Sequence, residues 1–273
     1  MINNPIFLKW AGGKRKIISD LEKYFPQTIE RYFEPFLGAG AVFFYIKQKY
    51  NPKYSMISDI NADLIEAYKT VRDNPKGLIR CLESFRKNNS EPFYYKTREK
   101  FNKQKLTGLK RSAAFIYLNK TCFNGLFRVN SKNEFNVPFG SHKNPFIFRE
   151  ETILLASQLL ADVVIEHQDY RDIQGLVLSG DFVYLDPCYD PLKKTSFTNY
   201  TSKKYCEVDR LELASFIDKL DHKGVNIFLS NNDLPQIREL YSEFKITEIA
   251  AERNISADPK LRGQIIELAI SNY

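Results

Sequence analysis

A carboxylate, a rigid turn and an aromatic ring follow one another at the end of a strand-like run. The stretch "VYLDPCYDP", residues 183 to 191, begins with apolar residues and continues with Asp186, Pro187, Cys188 and Tyr189. The Asp186 carboxylate and the carbonyl of Pro187 are two acceptors, and proline fixes the turn between them. Two acceptors beside a ring suit a planar group that carries an NH2. The alternative is an ordinary Asp-Pro turn with a packed tyrosine.

A second candidate set lies in the first strand-turn-helix pattern. Gly38 and Gly40 stand at the turn, where a backbone without Cβ can approach a ligand closely. Asp59 ends the next strand, about 20 residues on, where a carboxylate can hold ribose hydroxyls. Phe43 stands where the dinucleotide fingerprint has its third glycine, so the pattern favours an adenosine cofactor without a pyrophosphate. The alternative is an ordinary glycine turn.

The N-terminal stretch "LKWAGGKRK" places Lys9, Trp10 and Lys14 ahead of the first helix. Trp10 is the only tryptophan of the chain. Its ring can stack on an adenine or anchor the N-terminus in the core, and taken alone the anchor is favoured.

Strand and helix patterns alternate along most of the chain. Helices are predicted near 149 to 160 and from about Val208 to Leu220, and strands at "DVVIEH", "DFVYLD", "NIFLS", "FKITEIA" and "IIELAIS". From Asn74 to about Asn119 the pattern is helical, and a long loop or hairpin rich in Asn, Gly and Pro follows. These patterns predict an α/β fold with an open, mostly parallel sheet and an inserted, mainly helical unit.

The positive charge of the chain is concentrated in that inserted unit. Residues 85 to 145 contain 13 Lys/Arg and 3 Asp/Glu, a balance of +10, whereas the whole chain carries +7. The rest of the chain therefore sums to −3. A localised basic surface predicts a groove for nucleic-acid phosphates. A solvated basic surface is the alternative.

Composition narrows the class of protein further. No apolar run approaches the roughly 18 residues that a membrane helix needs, and the N-terminus lacks the features of a signal peptide. The cysteines have no CxxC spacing, which suits reduced thiols, and the histidines add no metal motif. We therefore expect a cytoplasmic protein without a metal or a membrane partner. The four cysteines are Cys81, Cys122, Cys188 and Cys206, and the three histidines are His142, His167 and His222.

Together these stretches resemble the DNA adenine N6-methyltransferases of the Dam type, which methylate GATC. The resemblance runs almost end to end and rests on "FLKWAGGK", "EPFLGAG", "DINADLI", "FNGLFRVNSKNEFNVPFG" and "DPCY". It implies a Rossmann-like S-adenosylmethionine-dependent sheet formed by residues 1–73 and 146–273. It also implies a DNA-recognition domain in residues 74–145, which contains the basic segment 85–145. A monomer is the expected state.

The resemblance assigns roles to the candidate residues. Asp186 and Pro187 would accept the N6 hydrogens of a flipped adenine, and Tyr189 would stack on its ring. The binding site for the cofactor S-adenosylmethionine would be lined by residues of the N-terminal, glycine and strand-end motifs. These are Trp10, Lys14, Phe36, Gly38, Gly40, Asp59 and Asp186.

The resemblance places the contacts to double-stranded DNA at the N-terminus and in the loop or hairpin. Arg128 would pair with a guanine through its O6 and N7, and Lys9 would contact the first guanine of GATC. Pro138 would meet a thymine methyl. A phosphate contact or salt bridge is the alternative for Arg128, and a surface lysine for Lys9. The complete predicted DNA-binding set is Lys9, Phe123, Asn124, Leu126, Arg128, Asn136, Pro138 and His142.

Two positions depart from the family pattern. Cys188 stands where the catalytic tetrapeptide usually has its second proline, and we expect activity to survive because the inferred contacts do not use that side chain. Ser141 and His142 stand where many relatives have Arg-Tyr, which makes strict GATC specificity less secure than adenine methylation. The alternatives are an amino-methyltransferase with another DNA or RNA target, and a DNA-binding protein without catalysis. A nicotinamide oxidoreductase is disfavoured.

Overall fold

The computed structural model describes residues 3–141, 144–188, 207–253 and 263–273, with only the backbone of 251–253 and 263–265. Two predicted site residues, Tyr189 and His142, lie outside the described residues.

The described residues form a seven-stranded sheet in the order β3-β2-β1-β4-β5-β7-β6. The first five strands in this order are parallel, and β7 runs antiparallel to both β5 and β6. The prediction of an open, mostly parallel α/β sheet is confirmed. The strands are β1 (Arg31–Glu34), β2 (Tyr54–Asp59), β3 (Val164–His167), β4 (Phe182–Leu185), β5 (Asn226–Asn232), β6 (Lys245–Arg253) and β7 (Gly263–Ser271).

Helices follow the strands, and several begin at side chains that cap them. Asn61 accepts a hydrogen bond from the amide of Leu64, and Asn74 accepts one from Gly77 ahead of a helix that begins at Pro75. The helices are α1 (Ile18–Leu21), α2 (Ala41–Lys49), α3 (Ala62–Asp73), α4 (Pro75–Lys87), α5 (Glu91–Asn102), α6 (Gly108–Thr121), α7 (Glu150–Leu160), α8 (Glu207–His222) and α9 (Pro235–Leu240).

Both faces of the sheet are buried. Along β4, Phe182 and Tyr184 belong to a large core that includes residues of α2, α3 and α6, whereas Val183 and Leu185 belong to a second core with residues of α8 and α9. Alternate residues of a strand point to opposite faces, so one short apolar run contributes to both cores. This explains why "FVYL" is buried at every position.

The strand order reverses direction between β1 and β4. From β1 the chain proceeds outward to β2 and β3 on one side, and from β4 to β5 on the other. At such a switch point the segments that leave the carboxyl ends of the strands part and open a crevice, where open α/β sheets bind ligands. The turn after β1 and the Asp186 segment after β4 both border this crevice.

The segment between α6 and α7 contains a short hairpin. A 3-10 turn at Phe123–Gly125 begins it, and two isolated antiparallel bridges join Cys122 to Phe139 and Val129 to Phe135. We name residues 126–139 the recognition hairpin. The prediction of a loop or hairpin here agrees with this geometry, and apolar residues of the hairpin belong to the same core as the helices around it.

The amino end of β4 provides a test of the fold that is separate from function. The Asp181 carboxylate is buried and accepts hydrogen bonds from Nε of Arg31 at 2.9 and 3.1 Å and from the amide of Leu178 at 2.9 Å. We expect Asp181→Ala to lower the free energy of unfolding by about 2–4 kcal/mol, measured by urea denaturation, because it leaves these donors unpaired. Glu99→Ala, which removes an exposed pair with Lys103, is the control and is expected to have no measurable effect. Equal midpoints for the two variants would contradict this reading.

Candidate functional site

Asp186 lies directly after β4, at the carboxyl end of the strand. Both of its carboxylate oxygens are 2.8 Å from Nζ of Lys14. The Asp186 side chain is 20% exposed, whereas that of Lys14 is 3% exposed. The carboxylate is therefore fixed by a buried cation and still accessible to a ligand. Pro187 follows it and is buried.

Lys14 connects Asp186 to a second carboxylate. Its Nζ lies 3.0 Å from Oε1 of Glu267 on β7 and donates to the carbonyl of Gly12 at 2.8 Å. Burial alone would lower the pKa of Lys14, but the charges of Asp186 and Glu267 reverse this and raise it. Lys14 is therefore a cation held between two carboxylates.

The cofactor role predicted for Lys14 does not include this ion pair, and Glu267 was not predicted at all. The signal for Glu267 in the sequence is a single acidic residue inside the apolar run "IIELAIS".

A second buried carboxyl group lies at the end of β1. Glu34 accepts a hydrogen bond of 2.6 Å from the hydroxyl of Tyr32, and burial raises its pKa well above the usual range. Glu34 was also missed from the sequence, where it appears as a charged residue at the end of an apolar strand. The raised pKa favours the neutral acid form of Glu34, which lessens the negative charge beside Asp186.

The glycine turn after β1 contacts the end of β2 directly. The Asp59 carboxylate accepts hydrogen bonds from the amide of Gly38 at 3.1 Å and from the amide of Asn61 at 2.9 Å. Burial raises the pKa of Asp59 to about 6, against these hydrogen bonds, which lower it. The predicted glycine turn and the predicted ribose carboxylate are therefore brought together.

Backbone conformation and packing both require the two glycines. Gly38 has φ +49° and Gly40 has φ +68°, in the left-handed region. A Cβ on Gly38 would lie 2.8 Å from the indole of Trp10, and one on Gly40 would lie 2.7 Å from the hydroxyl of Tyr68. In the sequence, the two glycines indicated only a close approach of the backbone to a ligand. The structure adds that the side chains around the turn also occupy this space.

Trp10 packs between the glycine turn and the recognition hairpin. Its ring stacks on Phe127, with centroids 5.4 Å apart and an angle of 16° between the planes, and it belongs to the periphery of the main core. The anchor interpretation of this tryptophan thus agrees with the structure. Phe36, from the same turn, stacks on Tyr170 at 5.2 Å.

Cys188 lies near both Asp59 and Asp186, the two carboxylates of the candidate site. Burial raises the pKa of its thiol to about 12, and the charges of Asp59 and Asp186 contribute in the same direction. Both carboxylates therefore lie near this thiol. Such a thiol stays neutral at physiological pH, so it can replace a proline without adding charge to the site.

The predicted DNA-binding residues form an alternating pattern on the hairpin. Phe127 and Val129 are buried, whereas Arg128 between them is partly exposed, and Asn136 lies between two buried residues on the opposite strand. Nε of Arg128 donates to Oδ1 of Asn136 at 2.7 Å. Asn136 therefore holds Arg128, a contact that the sequence analysis did not predict. Of the other predicted residues, Phe123, Asn124 and Pro138 are exposed and Leu126 is partly buried.

A group of cations lies beside this hairpin. Lys120 on α6 is buried, and burial together with the charges of Lys9 and Arg15 lowers its pKa to about 8. Among the described residues no carboxylate pairs with Lys120. A buried lysine next to two further cations is a favourable place for a phosphate. Lys9 is fixed nearby by the side chain of Asn119, which accepts from the Lys9 backbone N–H and donates to the Lys9 carbonyl, both at 2.8 Å.

Comparison with known proteins identifies the family. The model of the D12 class N6 adenine-specific DNA methyltransferases matches residues 10–255. The chain belongs to this family. The type II methyltransferase M.MjaIII of Methanocaldococcus jannaschii is 45% identical over 284 residues, which cover 98% of each chain. The type II methyltransferase M1.LlaDCHI of Lactococcus lactis is 38% identical, covering 100% of this chain and 96% of the relative. The DNA adenine methylase of Escherichia coli is 33% identical, covering 98% and 95%.

Membership confirms the predicted enzyme class, an adenine-specific DNA methyltransferase, with S-adenosylmethionine as the methyl donor and DNA as the substrate. In the described part of the chain, no helix is long and apolar enough to cross a membrane. The same residues contain no group of three or more His, Cys, Asp or Glu side chains arranged to hold a metal ion.

Proposed function

We propose that this enzyme transfers a methyl group to N6 of adenine within GATC in duplex DNA, after flipping the adenine into the crevice between β1 and β4. The observation that carries the proposal is the Asp186 carboxylate, accessible at the carboxyl end of β4 and close to the glycine turn. An adenine inside a duplex cannot present N6 to such a recessed carboxylate, which supports base flipping.

Asp186 has the properties of an acceptor for the amino group. The lone pair of N6 is delocalised into the purine ring, so the nitrogen is a poor nucleophile. Hydrogen bonds from its two N–H groups to Asp186 and to the carbonyl of Pro187 would localise the electron pair on nitrogen and orient it. Asp186 is suited to hold the proton that N6 must lose. Tyr189 remains the proposed stacking residue.

The cofactor side is proposed on the turn after β1 and the end of β2. S-adenosylmethionine supplies an electrophilic methyl group on a sulfonium. The Asp59 carboxylate fits the ribose hydroxyls, because the amides of Gly38 and Asn61 fix it and its residue is still partly exposed. Trp10, Lys14, Phe36 and Gly40 remain proposed cofactor residues. For Lys14 we propose an indirect role, through Asp186.

The titration of Asp59 gives a testable consequence. Ribose hydroxyls donate to the ionised carboxylate, so cofactor affinity is full above the folded pKa of about 6 and falls as the pH drops below it. Between pH 7.5 and pH 5 we expect affinity to fall about tenfold, measured by calorimetry with S-adenosylhomocysteine. Asp59→Asn should bind weakly at every pH, without this fall. Affinity that is independent of pH in the wild type would contradict the assignment.

The DNA side is proposed on residues 74–145 together with Lys9. Arg128, Leu126 and Pro138 would meet base edges, and Asn136 would hold Arg128. Phe123 and Asn124 would contact the bases around the flipped adenine. Lys120 and Arg15 would take a backbone phosphate.

Three further expectations belong to this proposal. They are the division into residues 1–73 with 146–273 and residues 74–145, the monomeric state and the cytoplasmic location. A contribution of His142 to DNA binding also stays a prediction.

The test is transfer of labelled methyl from S-adenosylmethionine to three matched substrates: a GATC duplex, the same duplex with the adenine replaced, and an RNA of the same sequence. Transfer to the GATC duplex alone would support the proposal. Equal transfer to the GATC duplex and to the duplex with that adenine replaced, through its other adenines, would remove the GATC specificity and keep the chemistry. Tight duplex binding without transfer would identify a DNA-binding protein that has lost catalysis.

A further inference from the structure

The recognition hairpin is held from outside by one face of α5. Tyr94, Arg98 and Asn102 are spaced four residues apart, so they lie in a row along the helix. Each of them makes a hydrogen bond to the backbone of the hairpin segment at 135–137. We name these three residues the α5 row.

The hydrogen bonds imitate those of a neighbouring strand. Asn102 accepts from the amide of Phe135 at 2.9 Å and donates to its carbonyl at 3.0 Å. The carbonyl of Val137 accepts from Nη1 of Arg98 at 2.9 Å and from the hydroxyl of Tyr94 at 2.8 Å. Along a strand the backbone groups of residues i and i+2 point to the same side, which is why one helix face can serve both positions.

The hairpin needs this support because its own pairing is minimal. The two strands are joined at one bridge, Val129 to Phe135, with one cross-strand backbone hydrogen bond on each side of it, from Asn130 to Glu134 and from Asn136 to Arg128. Short two-stranded hairpins are only marginally stable in water. A slip of one residue would turn every side chain of the strand to the opposite face and move Asn136 away from Arg128.

The contacts continue from the α5 row to Arg128. Asn136 follows Phe135 directly, its amide donates to the carbonyl of Arg128 at 3.1 Å, and its side chain accepts from Nε of Arg128 at 2.7 Å. Nε is held by Asn136, whereas Nη1 and Nη2 of the guanidinium make no hydrogen bond to the described residues. The position of the guanidinium therefore depends on the position of the strand that Asn102 holds.

We propose that Asn102 is a positioning residue for base discrimination, which acts on Arg128 through Phe135 and Asn136 without contacting DNA. The proposal rests on the proposed reading of a guanine by Arg128. It assigns specificity to a residue whose side-chain amide both donates to and accepts from the hairpin backbone.

The test measures kcat/KM for a GATC duplex whose second strand already carries N6-methyladenine, so that one target adenine and one orientation remain. The comparison duplexes are the same molecule with the first or the last base pair of the site replaced. The pair that Arg128 reads is the one at which Arg128→Ala loses discrimination, by about 5- to 150-fold. At that pair we expect Asn102→Ala to lower the discrimination ratio about fivefold or more. Asn102→Asp keeps the contact to the Phe135 amide and loses the one to its carbonyl, so it should have an intermediate effect. The control Asn88→Ala, on an exposed helix end, should leave the ratio unchanged.

The outcomes separate the two proposals. If Arg128→Ala keeps the discrimination at both pairs, guanine reading by Arg128 is wrong. If Arg128→Ala loses it and Asn102→Ala keeps it, or slows all duplexes equally, only the positioning role is overturned. If Asn102→Ala does not fold, Tyr94→Phe, which removes one hydroxyl contact of the same row, must lower the ratio at the same pair; an unchanged ratio would overturn the inference.

Discussion

Asp186→Asn is expected to lower the rate of methyl transfer by about 10²- to 10³-fold while leaving the fold intact. The amide has nearly the same shape as the carboxylate, but its NH2 would face the N6 hydrogens as a donor. Lys14 would keep Glu267 as a partner at 3.0 Å, so no buried charge is left alone. The loss should therefore appear in the chemical step and much less in stability.

Single-turnover methylation of a GATC duplex at saturating enzyme and cofactor measures that step directly. The matched control is Asp233→Asn, which changes another carboxylate at the carboxyl end of a parallel strand, one paired with Arg238. The control should react at nearly the wild-type rate. An Asp186→Asn variant that keeps more than about a tenth of the rate would be too active for the acceptor role.

Lys14→Met is expected to cost about 3–5 kcal/mol of unfolding free energy and most of the activity. Removal of a buried cation leaves Asp186 and Glu267 as carboxylates without their shared counter-charge. Repulsion between them would displace Asp186 from its position after β4. Urea denaturation measures the stability change, and methyl transfer at low denaturant measures the activity.

The double variant Lys14→Met/Glu267→Gln tests the electrostatic reason. Glu267→Gln removes one of the two carboxylates, so in the Lys14→Met background it should restore part of the lost stability. In the wild-type background the same change should be destabilising, because Lys14 loses a partner. Additive effects of the two substitutions would show that the charges do not interact.

Much of the fold follows from local patterns. The apolar run before Asp186 and the capped helix after Asn61 are features of a few neighbouring residues, so the alternation of strands and helices was predictable. The helix predicted near 149 to 160 is found at Glu150–Leu160. The position of Asp186 followed from the rule that parallel strands present their carboxyl ends at one edge.

The ion pairs within the site depend on contacts between distant parts of the chain. Lys14 and Glu267 come from the two ends of the sequence and meet because β7 inserts next to β5. No rule of sequence spacing connects these two residues. The resemblance to known motifs gave Lys14 only a role in binding the cofactor. The environment of Glu34 was likewise invisible, because the burial that raises the pKa of its carboxyl depends on the packed structure.

The recognition residues illustrate the same limit. The motif around Arg128 suggested which side chains face DNA, and the alternation of buried and exposed residues agrees with that choice. Two contacts could not be predicted without knowing the register of the hairpin. They are the hydrogen bond between Arg128 and Asn136 and the hydrogen bonds between Asn102 and the backbone of Phe135. The register arises from packing of the hairpin against α5. The hairpin's own sequence does not contain this information.

The most direct test of the central claim is to identify the methylated base. A long duplex containing every four-base sequence would be incubated with the enzyme and S-adenosylmethionine, digested to nucleosides for mass spectrometry, and sequenced in parallel to locate the modification. We predict N6-methyladenine as the product, confined to GATC and lost with Asp186→Asn. Methylated cytosine as the product, or N6-methyladenine formed equally well by Asp186→Asn, would contradict it.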